Sequence, residues 1–207
     1  MKIAVFGATG GLGQQLLEKA LAKGHEIIAY VRSPEKITYE NDHLEVITGD
    51  VFDKEKITEI LKGVDATFIT WRMRTQRIPL FSEGTQNVVD GMKANGIKRI
   101  IVMSEYAYGE HYRNFGLVAR GFTKLYEKTA RFQIGERNKQ DSIIYESGLD
   151  WTFNRIRALN DNEKNNELEL TFEPKSKMKA IYRGTAAEKI VYQFENPNEF
   201  IQKNVYF

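Results

Sequence analysis

Two periods of apolar spacing alternate along the chain, and the switches between them lay out its elements. A short apolar run, Ile3 to Phe6, goes straight into Gly7-Ala8-Thr9-Gly10-Gly11-Leu12-Gly13, and Leu12, Leu16, Ala20 and Leu21 then fall on one helical face. Lys23-Gly24 supplies a stop signal, and a second apolar run, Ile27 to Val31, begins at once. Strand, turn, helix and strand therefore fit within about 30 residues, the length of one βαβ unit. Further strands are predicted at Leu44 to Thr48, Ala66 to Thr70, Ile100 to Met103 and Trp151 to Arg155. Helical patterns lie between them: Asp53 to Leu61, Ser82 to Ala94 with Ser82 as cap, and, after an aromatic stretch from Glu105 to Phe115, helical material to Ser147 interrupted near Gly135. Glu167 to Tyr182 predicts a small antiparallel excursion, Gly184 to Phe194 a helix and Phe200 to Tyr206 a closing strand. Strands alternating with helices predict an α/β class with a doubly wound, mostly parallel sheet and helices on both faces. The expected organisation is a single domain over residues 1–207, with small substrate-side excursions near 105–135 and 157–182.

An apolar strand that runs into a glycine triplet and then a helix is how a chain seats a dinucleotide pyrophosphate. The first glycine permits a tight exit from the strand, the second removes a side chain where phosphate approaches, and the third lets helix pack on strand. The unpaired N–H groups of the helix then point at the anion. Glycine-rich turns also arise for conformational reasons alone, but here the flanking strand and helix are those that the Rossmann-like motif requires. An acid about 20 residues beyond the glycines would bind a ribose 2′-hydroxyl and favour NAD. None stands there: the second strand ends Tyr30-Val31-Arg32-Ser33. Arg32 offers a planar guanidinium to a 2′-phosphate, with Ser33 as a second donor, so NADP(H) is the expected cofactor. The alternative for Arg32 is one more solvated arginine after a strand.

Composition narrows the function classes. A net charge of +2 gives no reason to expect nucleic acid or an anionic membrane, and no apolar run approaches the roughly 20 residues needed to span a bilayer. With no cysteine, disulfides and thiolate chemistry are excluded, and the absence of a leader-like amino terminus fits a cytoplasmic protein, expected as a monomer or homodimer. His25, His43 and His111 are scattered, so no metal is expected.

In these motifs the chain resembles the atypical short-chain dehydrogenase/reductases, in the NmrA-like NAD(P)H-binding branch that includes small flavin and biliverdin-IXβ reductases. The resemblance spans essentially the whole chain and rests on Gly7 to Gly13, Val31-Arg32-Ser33, Gly49-Asp50-Val51, Ser82-Glu83-Gly84-Thr85-Gln86-Asn87, Ile100 to Ser104 and Glu146 to Thr152. It implies Gly7, Thr9, Gly10, Gly11, Leu12 and Gly13 around the pyrophosphate, Arg32 at the adenosine phosphate, and Asp50 and Val51 at the adenine. Asp50 serves equally as a turn residue after a strand. The resemblance further implies Thr70 and Trp71 beside the nicotinamide and Ser104 near the reacting carbon.

Two departures limit the transfer. Many relatives donate a proton from a tyrosine four residues before a lysine, whose ammonium lowers the phenol pKa; no tyrosine here has that lysine. Tyr106 and Tyr108 follow Ser104 and are candidate donors, although aromatic residues after a strand more often pack. After the sixth strand the arginine-proline of the family is replaced by Arg155-Ile156-Arg157, which leaves Arg155 as the match and frees the backbone. Trp71-Arg72-Met73-Arg74-Thr75-Gln76-Arg77 adds three arginines near the presumed cleft, suited to a phosphorylated acceptor or to solvent. The expected function is an NADPH-dependent reductase acting on a flavin or quinone, since hydride delivery to such acceptors needs chiefly a well-placed nicotinamide. The competing expectation is a catalytically weak NADP(H) redox sensor acting through a protein partner. A sugar-nucleotide epimerase is disfavoured, because it needs a larger carboxyl-terminal substrate domain.

Overall fold

In the structure, a computed structural model, the described residues are 1–72, 78–105, 130–156, 158–163, 168–174 and 180–207. Their strands are β1 (Lys2–Phe6), β2 (Glu26–Val31), β3 (Leu44–Thr48), β4 (Ala66–Ile69), β5 (Arg99–Glu105), β6 (Asp150–Ile156), β7 (Leu159–Asn160), β8 (Ile181–Tyr182) and β9 (Lys203–Tyr206). Their helices are α1 (Gly11–Ala22), α2 (Lys54–Ile60), α3 (Ser82–Ala94), α4 (Arg131–Tyr145), α5 (Arg183–Glu195) and α6 (Pro197–Phe200), with a 3-10 turn at Pro34–Lys36. Seven strands make one sheet in the order β3-β2-β1-β4-β5-β6-β9, and every pairing is parallel. This is the Rossmann-like, doubly wound architecture that the alternating pattern predicts.

Side-chain alternation along β1 shows how both faces are covered. Ile3 and Val5 point into a cluster with Leu16 and Ala20 of α1 and Ile190 and Phe194 of α5. Ala4 and Phe6 point into the opposite cluster with Ile57 and Ile60 of α2, Val88 and Met92 of α3 and Ile144 of α4. A strand buried on both faces reads as a continuous apolar run, which is why Lys2–Phe6 carries no polar interruption after its first residue. Since β1 pairs with β2 on one side and β4 on the other, the strand order reverses at β1 and opens a crevice at the carboxyl ends of β1 and β4.

The structure departs from the sequence pattern in three places. Helix α4 passes through Gly135 unbroken; a glycine costs a helix only about 1 kcal/mol, and the following turn is anchored by buried Glu136, Arg137 and Gln140. In the carboxyl-terminal excursion, β7 and β8 pair in parallel, and among the described residues the antiparallel contact is the isolated bridge between Thr171 and Tyr206. Alternation of apolar residues marks a strand but carries no information about the direction of its partner.

Ser82 does not cap α3: the cap residue is Phe81, and no side chain of the helix's own start bonds its first turn. The role falls to Glu136 of α4, whose Oε2 accepts from the Ser82 N–H at 3.1 Å and from the Ser82 hydroxyl at 2.7 Å. Burial works to raise the Glu136 pKa, but the Ser82 bonds and the Lys139 ammonium outweigh it and hold the carboxyl below its ordinary value. A lowered pKa means that the charged form stabilises the fold fully above the ordinary value of 4.5 and that this contribution is lost as pH falls below it. Denaturant midpoints measured from pH 6 to 3 should therefore fall more steeply for the wild type than for Glu136→Gln, whereas parallel profiles would exclude a charged anchor. Glu136→Ala should cost about 1–3 kcal/mol at neutral pH.

Candidate functional site

The crevice begins with the glycine turn, whose three key glycines have different tasks. Gly7 has φ +98°, and a Cβ there would stand 2.5 Å from the Thr70 carbonyl oxygen. A Cβ on Gly13 would meet the Gly7 carbonyl oxygen at 2.5 Å. Both positions are thus demanded by backbone lying on backbone. At Gly10 a Cβ would touch only the Gly7 oxygen, at 3.4 Å, so the fold tolerates a side chain there and the open seat is what glycine preserves. Helix α1 starts without an acidic residue in its first turn and without a side-chain cap, leaving its first N–H groups to an anion.

From this turn a cleft of about 180 Å³ runs along the sheet's carboxyl edge, lined by Gly7, Thr9 and Gly10 after β1, Tyr30, Val31, Arg32, Ser33 and Lys36 around the end of β2, Gly49 and Val51 after β3, and Thr70, Trp71, Arg72 and Leu80 after β4. Arg32, Ser33 and Lys36 gather at one end because Pro34 starts a 3-10 turn directly after β2. The Gln14 amide ties that turn to the glycine loop, donating to the Lys36 carbonyl at 3.2 Å and the Thr9 carbonyl at 3.4 Å. Tyr30 closes the floor: its hydroxyl donates to the Asp50 carbonyl at 3.0 Å, and its ring fills the space a Cβ on Gly49 would need. Burial, with Asp53 and Asp50 nearby, pushes the Tyr30 phenol up to about 12, so it stays a protonated donor at any physiological pH.

The other end of the cleft is held by buried polar side chains. The Trp71 ring packs where a Cβ on Gly84 would reach 2.9 Å, and it meets Phe6 edge-on at 6.3 Å. Arg137 of α4 lies over the Phe81 ring at 3.8 Å and donates to the carbonyls of Met103 at 3.1 Å and Trp71 at 3.5 Å, joining the ends of β4 and β5. Ser104, 3% exposed, accepts from Arg155 Nη1 at 2.7 Å. Arg155 also donates to Asn204 at 2.9 Å and the Tyr145 hydroxyl at 3.0 Å and pairs with Asp141 at 2.8 Å. Burial works against the Arg155 charge, but Asp141 and Tyr145 outweigh it and raise the pKa above its ordinary value.

Of the residues expected from the sequence, the structure brings Gly7, Thr9, Gly10, Arg32, Ser33, Val51, Thr70 and Trp71 together on the cleft wall. Gly11, Leu12 and Gly13 form the first turn of α1 next to it, Gly11 exposed and Leu12 in the core. Asp50 makes a turn, its Oδ1 accepting from the Phe52 N–H at 3.1 Å. Ser104 and Arg155 lie bonded to each other behind the cleft lining rather than on it. Arg72 lines the cleft, while Tyr106, Tyr108, Arg74, Arg77 and Arg157 lie outside the described residues. Lys36, Asn87 and Arg137 were not singled out. Lys36 has a local signal, four residues beyond Arg32 across a proline, and Asn87, whose amide holds the Val51 carbonyl at 3.0 Å, sits inside the Ser82 to Asn87 motif. Arg137 is visible only once α4 is packed.

A family described as NAD(P)H-binding matches residues 7–197. The chain belongs to that family. The match begins at Gly7, the residue whose backbone geometry opens the cleft. Among curated proteins the chain is 24% identical over 160 residues to a (4-alkanoyl-5-oxo-2,5-dihydrofuran-3-yl)methyl phosphate reductase of Streptomyces griseus, covering 77% of this chain and 49% of the relative. It is 32% identical over 117 residues to a 2-alkyl-3-oxoalkanoate reductase of Stenotrophomonas maltophilia, 50% of this chain and 33% of the relative. It is also 32% identical over 127 residues to the photosystem II assembly factor Ycf39 of Guillardia theta, 57% and 39%. The chain thus spans between a third and a half of these relatives' lengths. Among solved structures, a short-chain dehydrogenase/reductase from Veillonella parvula in complex with NADP has a TM-score of 0.81 at 17% identity, covering 99% of this chain and 93% of that one. An anaerobillin reductase from Escherichia coli O157:H7 has a TM-score of 0.77 at 20% identity, covering 100% and 97%. At these identities the two structures bear on the fold of the NAD(P)H-binding family alone.

The two kinds of glycine separate experimentally. Gly7→Ala should lose about 2–4 kcal/mol of stability, from positive φ and overpacking together. Gly10→Ala should unfold at the wild-type denaturant midpoint yet bind NADPH at least about tenfold more weakly, since its methyl occupies the anion seat. Equal affinity for Gly10→Ala and wild type would show that the seat is elsewhere.

Proposed function

We propose that this member of the NAD(P)H-binding family is an NADPH-preferring reductase that transfers hydride to a small planar acceptor such as a flavin or quinone. The observation that carries the cofactor preference is the meeting of Arg32, Ser33 and Lys36 at one end of the cleft, where Arg32 rather than an acid directly follows β2 and Glu35 is not part of the lining. Two cations and a hydroxyl suit a 2′-phosphate and would offer a ribose 2′-hydroxyl no carboxylate to donate to. Gly7, Thr9 and Gly10 would hold the pyrophosphate, Val51 the adenine, and Thr70 and Trp71 the nicotinamide end; bound NADPH supplies the hydride. The reductase names of the Streptomyces and Stenotrophomonas relatives support the reaction class.

Within that reading Ser104 is the orienting hydroxyl. With one lone pair taken by Arg155, it keeps its own proton, which would orient the nicotinamide carboxamide or the acceptor only where the bound ligand extends past the lining to the end of β5. Arg155 is then a positioning residue rather than a cofactor ligand. The second reading, an NADP(H) redox sensor acting through a protein partner, has its own support in the missing tyrosine-lysine pair and in the relative that is an assembly factor.

Arg32→Ala should weaken NADPH by the worth of a charge-assisted contact, about 1.5–3 kcal/mol, while NADH affinity stays unchanged. Equal loss for both cofactors, or none, would remove Arg32 from the 2′-phosphate. NADPH oxidation followed with FMN, riboflavin and a small quinone should saturate in acceptor and be slower with NADH. Ser104→Ala should slow that turnover by about tenfold or more with NADPH affinity intact. Tight NADPH binding without turnover on any acceptor would favour the sensor.

A further inference from the structure

Arg183, the first residue of α5, has no part in the site so far, yet its side chain stands at the mouth of the anion seat. A Cβ on Gly11, the first residue of α1, would meet Arg183 Nε at 3.0 Å and Cδ at 3.2 Å. Gly11 is therefore a slot that admits this guanidinium beside the open N–H groups of α1. The same end of α5 packs along α1, since a Cβ on Gly184 would meet Gln15 Oε1 at 3.0 Å. Neither helix has an acidic residue in its first turn or a side-chain cap. Two positive helix ends and a guanidinium thus converge, an arrangement that is unfavourable for the arginine itself, because a cation at a helix N-terminus opposes the macrodipole.

The charge facing this cluster is meagre. Arg183 Nη1 pairs with Asp161, whose side chain is 83% exposed, and Nη2 reaches the Leu159 carbonyl only at 3.5 Å. The next acid along that segment, Glu163, accepts from the Tyr182 hydroxyl at 3.3 Å. An ion pair to a solvated carboxylate contributes little and exchanges readily. A diphosphate, with two negative charges and planar oxygen pairs, suits a guanidinium fork far better.

We propose that Arg183 is a ligand of the dinucleotide pyrophosphate, held beside the seat by Asp161 until the cofactor displaces that carboxylate. The proposal rests on the reading that the cleft takes a dinucleotide, and it predicts a signature different from that of Arg32. Because the pyrophosphate is common to NADPH and NADH, Arg183→Gln should weaken both by the same factor, about tenfold, in calorimetric titrations. Asp161→Asn removes the competitor and should tighten both by about two- to threefold. Thermal midpoints of the unliganded variants, taken alongside, show whether each is folded; should Arg183→Gln unfold, the sign of the Asp161→Asn effect decides by itself. Loss confined to NADPH, no loss in a folded Arg183→Gln protein, or weaker binding by Asp161→Asn would overturn the assignment and leave the pair as a structural staple for residues 158–163. Wild-type protein that binds neither dinucleotide would overturn the cofactor reading and this one with it.

Discussion

The whole carboxyl edge depends on main chain touching main chain where β1 ends. Gly7 lies against the Thr70 carbonyl and Gly13 against the Gly7 carbonyl, at separations that leave no room for a Cβ. Those contacts set how deeply α1 sinks against the sheet and how close the ends of β1 and β4 come, and so fix the crevice at the point where strand order reverses. A methyl group at either place would act on the fold before it acted on any ligand. This constraint explains why the turn is dense in glycine although only at Gly10 among the three spaced glycines would a Cβ find room.

Around that rigid turn, arginines rather than carboxylates hold the edge together. Arg137 satisfies its donors largely on carbonyls and an aromatic face, and Arg155 on a hydroxyl, an amide, a phenol and one aspartate. Burying a guanidinium is expensive unless its fork is filled, and a parallel sheet offers the means, because strand ends present carbonyls at fixed spacing. The ends of β4, β5 and β6 are thereby tied from outside the ladder. Proline after Arg155 is dispensable in this arrangement, since the arginine itself is fixed from four directions.

Local signals in the sequence are enough for the seven strands of the main sheet, for α1 to α3 and for most of the cleft wall from Gly7 to Trp71, because each is written within a few residues: apolar runs, the glycine triplet, Arg32-Ser33 after a strand. What the sequence concealed depends on contacts distant along the chain. Glu136 replaces a cap on α3 from 54 residues away, and Arg155 reaches Ser104 from 51 residues away. The Ser82 to Asn87 motif was visible as a resemblance, but its physical content appears only in three dimensions. Gly84 makes room for Trp71, Thr85 accepts from Gln140 at 2.9 Å, and Asn87 holds the Val51 carbonyl. Strand direction in the Glu167 to Tyr182 excursion is beyond reach for a related reason, as it is set by which segment lies alongside rather than by the segment itself.

The donors behind the cleft also bear on which acceptors the proposed reductase suits. Reducing an isolated ketone builds charge on one oxygen, which calls for an acid of matched pKa within hydrogen-bond reach. Tyr30 cannot serve, with its phenol pushed to about 12 and its proton committed to the Asp50 carbonyl. Ser104 can donate a hydrogen bond, but an aliphatic hydroxyl beside a guanidinium is a poor source of a full proton. A flavin or quinone spreads the incoming charge over a conjugated ring and accepts its proton from solvent, so orientation by Ser104, Thr70 and Trp71 is sufficient for it. Ketone reduction on this scaffold would instead need a phenol from the stretch after β5, and Tyr106 and Tyr108 are the residues that the sequence offers for that task.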